Sequence, residues 1–357
     1  MTDTDVRAGD PTTGAVVVLA GGTGGAKLAR GMLDVVGPEE LVVIANTGDD
    51  IDIYGSHVSP DPDLVSFWLA DLIDDRGWGI EGDTFAVMDA LRALGTDVWF
   101  NLGDRDLAWC LERRRLEDEG LRPTEALARL NEAIGVRARV LPMCDEPLRT
   151  HVRSDAGWRD FQQFMIRDRA EGPVREVAFA SPARARLTLA AAPPRTDPAL
   201  QRTSNIRRTI APPRARGLSE TDTPPRPTPE VLAALASARA VIVGPSNPVI
   251  SIWPILHVLG DTLAAIAAPV VCVSPIVAGE VIKGPTAAFL AAYDQPASAA
   301  GVAAFYERVA PGLLDGIVTD ERLTGLATLE LDTNMPDVAA RARVAERTLA
   351  FALSPAR

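Results

Sequence analysis

Lysine is nearly absent from this chain. Of its 36 basic residues only Lys27 and Lys283 are lysines, the other 34 being arginines, and against 48 acidic residues the net charge is -12. An acidic balance with a pI near 4.9 excludes a general nucleic-acid binder, which would need a basic surface. Cysteine is scarce too: Cys110, Cys144 and Cys272 are odd in number and far apart, which argues for buried thiols in a reducing, cytoplasmic setting and against a disulfide framework. The three histidines, His57, His151 and His257, fall in no zinc-ligand spacing. No unbroken apolar run approaches the roughly 18–20 residues of a membrane span, and the polar, acidic start of the chain lacks the pattern of a signal peptide. No serine or cysteine stands in a GxSxG-like context, so a covalent hydrolytic triad is unsupported.

What is present is an α/β pattern. Ala15–Ala20 and Leu41–Ala45 are continuous apolar runs, as strands buried on both faces of a parallel sheet require. Further strands are expected at residues 98–102, 138–142, 176–180, 240–244, 270–274 and 316–319. Helices are expected at residues 27–36, 62–74, 83–94, 105–119 and 123–134. Alternation of the two types predicts a mainly parallel sheet with helices on both faces. Residues 1–14 read as a disordered N-terminus, 15–180 as a nucleotide- and metal-binding part, and 231–357 as the remainder of the core. Residues 181–230 carry ten prolines and nine arginines but only four acidic residues, the composition of a flexible insertion.

Two features carry chemistry. Gly21-Gly22-Thr23-Gly24-Gly25-Ala26-Lys27 follows the first strand and opens a helix, where glycines admit a phosphate to the helix-start amides and Lys27 adds a positive charge. It fits neither a P-loop, which needs Gly-Lys-Ser/Thr, nor a dinucleotide fingerprint, which needs a glycine at position 27. The second is acidic. Residues 31–75 contain eleven Asp or Glu and no Lys or Arg, among them Asn46-Thr47-Gly48-Asp49-Asp50 and Ser59-Pro60-Asp61-Pro62-Asp63. Carboxylates collected at strand ends need a counter-charge, which Mg²⁺ shared between Asp49, Asp63 and substrate phosphates would provide; Asp61 is either a further ligand or a cap of the helix that follows it. Trp78, between two glycines, suits stacking on a planar ligand, and Ser246 and Asn247 in Gly244-Pro-Ser-Asn-Pro248 end another buried strand as candidate nucleotide contacts. Together these suggest phosphoryl or diphosphate transfer. A nucleotidyl or nucleotide-sugar transferase and a non-catalytic nucleotide-binding regulator are the alternatives.

The chain resembles the 2-phospho-L-lactate transferases of coenzyme F-420 biosynthesis. The resemblance rests on Leu19–Lys27, Asn46–Asp50, Ser59–Asp63, Trp78-Gly-Ile80 with Asp83-Thr84-Phe85, Leu102-Gly-Asp-Arg-Asp106, Phe161-Gln162, Gly244–Pro248 and Val273-Ser-Pro-Ile276, in order from about residue 15 to 350. It implies a Rossmann-like fold, a homodimer and a Mg²⁺-dependent transfer. A phospholactate-type group would pass from a guanosine diphosphate conjugate to the 5'-hydroxyl of 7,8-didemethyl-8-hydroxy-5-deazariboflavin, releasing GMP. By position it implies Asp49 and Asp63 as catalytic metal ligands, with Asp63 also near the acceptor hydroxyl. Asn101 falls at an acceptor-contacting position where the family's pattern has lysine, and Trp109-Cys110 replaces a Thr-His pair.

Overall fold

A computed structural model describes residues 13–181, 224–282 and 284–354. Nearly all of the proline- and arginine-rich segment and the first twelve residues lie outside them. Seven parallel strands form one sheet in the order β14-β13-β10-β9-β1-β2-β5. They are β1 (Ala15–Ala20), β2 (Leu41–Ala45), β5 (Arg139–Pro142), β9 (Ala238–Val243), β10 (Val270–Val273), β13 (Gly316–Thr319) and β14 (Ala327–Glu330). The intervening numbers belong to the hairpin β3 (Ile51–Ile53) and β4 (Ser56–Val58), the antiparallel sheet of β6 (Arg149–Ser154), β7 (Gly157–Asp160) and β8 (Glu176–Ala180), and the short pair β11 (Ile276–Val277) and β12 (Glu280–Val281).

β1 and β2 are buried at every residue, and alternate side chains enter two separate cores. Val17, Leu19, Val42, Ile44, Val241 and Val243 pack into the core on one face, Val16, Val18, Leu41, Val43 and Ile242 into that on the other. Period-two alternation of apolar side chains is what a sheet sandwiched between helical layers demands. Helices α1 (Gly22–Val36), α2 (Pro60–Leu69), α3 (Ala86–Ala93), α4 (Asp104–Asp118) and α5 (Pro123–Ala133) lie in the first half of the chain. α6 (Pro229–Ala236), α7 (Trp253–Ala265), α8 (Thr286–Ala291), α9 (Ala299–Val309) and α10 (Val338–Ala352) lie in the second. Residues Pro248–Ala265, a π-helical turn running into α7, have the length and apolarity of a membrane span, yet Val249, Ile252, Ile255 and Leu259 are fully buried in the first core.

Two expected strands are placed differently. Residues 98–102 form none: the Phe100 N–H donates to the Tyr54 hydroxyl, and Phe100 and Leu102 are buried as a loop entering α4. Residues 176–180 are a strand, but β8 pairs antiparallel with β6 and not with the main sheet.

Candidate functional site

The chain lays β1, β2 and β5 to one side and then returns to place β9, β10, β13 and β14 on the other. β1 and β9 are therefore the neighbours between which the winding direction reverses. Ligands of open α/β sheets bind beyond the strand ends at such a switch point. Here the loop after β1 is the glycine cluster and the loop after β9 is Gly244–Pro248. Ser246 Oγ accepts hydrogen bonds from the Gly21 N–H (3.2 Å) and the Gly25 N–H (3.1 Å). A Cβ on Gly24 would lie 2.0 Å from the Pro245 carbonyl oxygen, and one on Gly25 would lie 2.9 Å from Ala20. Two of the glycines are thus required by the packing of the two loops, whatever else binds there. Of the first helical amides, Gly22 donates to Asp61 Oδ1 (2.6 Å), while those of Thr23 and Gly24 have by position no partner within the helix. Of the five residues Gly21–Gly25, the amides of Gly21 and Gly25 are taken by Ser246 and that of Gly22 by Asp61.

Four buried aspartates converge beside this loop, at the exit of β2 and the start of α2. Asp61 does not cap its own helix. Its carboxylate sits at the start of α1 and also accepts from Asn46 Nδ2 (2.9 Å), so Asn46, whose Oδ1 accepts the Gly48 N–H, is held by protein groups on both ends. Burial raises the Asp61 pKa to about 6 against these hydrogen bonds. Asp50 accepts from Ser59 Oγ (2.8 Å) and faces His57 Nε2 (3.1 Å), whose Nδ1 meets Glu117 (2.8 Å). Burial lowers the His57 pKa, but the two carboxylates outweigh it and lift it to about 9, so His57 is an imidazolium donating at both nitrogens.

Asp63 is saturated. Trp109 Nε1 donates to Oδ1 (2.8 Å), and Arg113, itself only 2% exposed, grips both carboxylate oxygens. Asp49 is the opposite case. Its Oδ1 is buried with no partner at ordinary hydrogen-bond geometry among the described residues, and burial and the charge of Asp61 push its pKa well upward against the weaker pull of the nearby Asn46 and Thr150 side chains. A hard cation suits an orphaned carboxylate oxygen among oxygen donors, so the cluster fits Mg²⁺. The two aspartates that the sequence pairs are unequal, however: only Asp49 has an oxygen to spare.

The remaining predicted residues are spread around this centre. Asn247 caps the turn that follows it, its Oδ1 accepting from the Val249 and Ile250 N–H groups, and leaves a buried Nδ2 with no partner among the described residues. Lys27 donates to the Met335 carbonyl (3.2 Å) with its Nζ 5.9 Å over the Trp68 ring, on the flank of α1. Trp78 is 51% exposed with the Arg76 guanidinium stacked 4.3 Å from its ring. Asn101 is exposed and accepts from Arg92 (2.6 Å). The sequence singled out neither Arg113, His57 nor Asp106. Asp106 lies with Asp63 and Cys110 in one group whose ligand atoms are within 4.8 Å of each other, and burial and the Asp63 charge push its pKa to about 7. Only Asp106 carried a signal, as the last residue of Leu102-Gly-Asp-Arg-Asp106. Arg113 stands in an arginine-rich helix where nothing local marks it. Behind Asp50 and His57 a cavity of about 140 Å³ opens between α4, α5 and the loop after β5, away from the glycine loop.

Residues 16–335 match the protein family described as 2-phospho-L-lactate transferase CofD. A 2-phospho-L-lactate transferase of Methanosarcina mazei is 32% identical over 308 residues, 86% of this chain and 87% of that protein. A phosphoenolpyruvate transferase of Kitasatospora aureofaciens is 35% identical over 359 residues, covering 94% of this chain and 97% of that one. Among solved structures, a UPF0052 family protein of Bacillus halodurans shares the fold at a TM-score of 0.55 and 15% identity, covering 94% of this chain and 99% of that chain. With a matched family spanning most of its length and its glycine loop and carboxylates at the sheet's switch point, the chain belongs to the 2-phospho-L-lactate transferase CofD family, a family of transferases.

Proposed function

We propose that this chain transfers a phospholactate-type group, derived from phosphoenolpyruvate, 2-phospholactate or 3-phosphoglycerate, from a guanosine diphosphate conjugate to the 5'-hydroxyl of 7,8-didemethyl-8-hydroxy-5-deazariboflavin. GMP is released, and the reaction belongs to coenzyme F-420 biosynthesis. The reading is supported by the meeting of the glycine loop, the Ser246 turn and a buried carboxylate cluster at one switch point, in a chain whose relatives include both phospholactate and phosphoenolpyruvate transferases. The acceptor oxygen attacks the phosphorus bearing the three-carbon acid, and the bond to the GMP phosphate breaks. The Thr23 and Gly24 amides, at the start of α1, would receive the charge of the departing phosphate. The hydroxyl proton passes into the carboxylate cluster, where Asp106, pushed to about 7, has the affinity to hold it. Asp49 would hold Mg²⁺, which when bound supplies charge neutralisation to the diphosphate.

The test incubates purified protein with the deazaflavin, Mg²⁺ and each candidate guanosine diphosphate donor in turn, and follows GMP and the phosphodiester product by mass spectrometry. Product with one donor is expected and identifies its three-carbon acid. Consumption of a nucleoside triphosphate or sugar nucleotide instead, with the deazaflavin untouched, would favour a nucleotidyl or nucleotide-sugar transferase.

A further inference from the structure

Asp49, Asp50, Asp61 and Asp63 are each at most 7% exposed, and their negative charges are compensated unequally. Asp50 has His57 and Asp63 has Arg113. Asp61 is held only by neutral donors, the Gly22 N–H and the Asn46 amide, and neither it nor Asp49 forms an ion pair with Lys, Arg or His among the described residues. Asp49 Oδ1 and Thr150 Oγ1 are both buried with no partner at ordinary hydrogen-bond geometry among the described residues, although Asn46 and Thr150 stand close enough to Asp49 to favour its charged form. Two adjacent buried carboxylates without a cation are costly, and one of them carries an orphaned oxygen. Asp61 also ties this pair to the helix start where phosphates are expected.

We propose that Asp49 and Asp61 are the carboxylates that hold the divalent cation, and that Asp63 lies outside its coordination sphere as the partner of Arg113 and Trp109. This rests on the proposed transfer reaction and adds to it the division of labour among the four aspartates. The donor set is all oxygen, which selects a hard ion, and two carboxylates leave room for water and the donor's phosphates, the usual arrangement for Mg²⁺. Arg113 and Trp109 stand four residues apart on α4 and so present one helix face to Asp63. A cation drawn to Asp63 would have to displace a buried guanidinium.

The experiment uses Mn²⁺ alone as the probe on the full chain, its bound fraction read by electron paramagnetic resonance, and repeats the titration with GDP. Wild type is expected to bind one Mn²⁺ in competition with Mg²⁺. Asp49→Asn and Asp61→Asn should each weaken binding by about tenfold or more, since each removes a charged ligand. Asp61→Asn keeps a carbonyl for the Gly22 N–H; circular dichroism reports folding, and Asp49→Asn decides the matter if Asp61→Asn fails to fold. Asp63→Asn, and Asp63→Asn with Arg113→Gln, which removes the buried pair as a unit, should leave Mn²⁺ affinity within about twofold. A folded Asp63→Asn that loses Mn²⁺ as completely as Asp61→Asn would overturn the assignment, as would no binding by wild type with or without GDP. The transfer assay separates the two readings. Activity together with Mn²⁺ binding indifferent to Asp49 and Asp61 sinks this inference alone, whereas the expected Mn²⁺ pattern without transfer sinks the function alone.

Discussion

Asp63 illustrates how a single carboxylate takes its character from what surrounds it. Burial raises its pKa, while Arg113 and then Trp109 oppose that. Removing one member of a buried ion pair strands the other, so Arg113→Gln should destabilise the protein by about 3–5 kcal/mol in denaturant unfolding. Trp109→Phe removes one charge-assisted hydrogen bond and should cost less, about 1.5–3 kcal/mol. If Trp109→Phe proves the more damaging, the edge-on packing of its ring against Phe67, centroids 5.2 Å apart, outweighs the bond to Asp63.

At the scale of elements, helix termini and loops organise the site. Asp83 accepts from the Arg105 and Asp106 N–H groups at the start of α4, and Asp104 accepts from the Ala86 and Val87 N–H groups at the start of α3. The aspartate that precedes α3 thus caps α4 and the one that opens α4 caps α3. Asp83→Ala should cost about 1 kcal/mol, typical of a lost cap, and should loosen Asp106. Its check is a denaturant midpoint together with hydrogen exchange of the α4 amides, which should quicken at the first turn and not at the last. Gly24→Ala is a severer change. Its Cβ would meet a backbone carbonyl at 2.0 Å, and no side chain can swing away to relieve it. The β1 and β9 loops must then part, so the variant should lose GDP binding as well as stability, measured by calorimetric titration and melting. Retention of wild-type GDP affinity would show that the loops need not meet for the nucleotide to bind.

For the whole molecule, the buried groups set the pH dependence. Asp61 and Asp106, raised chiefly by burial to about 6 and about 7, and His57, held at about 9 by Asp50 and Glu117 in spite of burial, all bind protons more tightly folded than unfolded. Each contributes stability that is fully present below its unfolded pKa and is lost as pH rises through the folded value. The metal-free protein should lose stability from about pH 4 to 7 through the aspartates and from about 6.5 to 9 through His57. Glu230, drawn down to about 2 by Arg122, acts in the opposite sense but below that window. Melting midpoints without metal should fall in order across about pH 5, 7 and 9, and Mg²⁺ should recover part of the loss. His57→Gln should flatten the upper step; an unchanged slope there would assign it to another group.

Much of the architecture is legible in the chain itself. Uninterrupted apolar runs such as Ala15–Ala20 and Leu41–Ala45 can only be satisfied with both faces covered, and their strand bounds coincide with the runs. The same logic misplaces residues 98–102, because burial in a loop and burial in a strand select the same residues and only a neighbouring strand distinguishes them. It places residues 176–180 in a strand without saying in which sheet. Local composition likewise marks the glycine loop and the aspartates, since a run of glycines and a cluster of carboxylates without lysine or arginine stand out in any sequence. It does not say which aspartate is free. That depends on partners brought from afar: Ser246 reaches the glycine loop across 221 residues, and Arg113 reaches Asp63 across 50. The sequence by itself determined the parallel α/β layering and the position of the glycine loop, because burial and backbone freedom are local demands. Tertiary packing alone decided that Asp63 is neutralised while Asp49 and Asp61 are not, because charge compensation in a buried site depends on which distant helix the sheet order sets beside it.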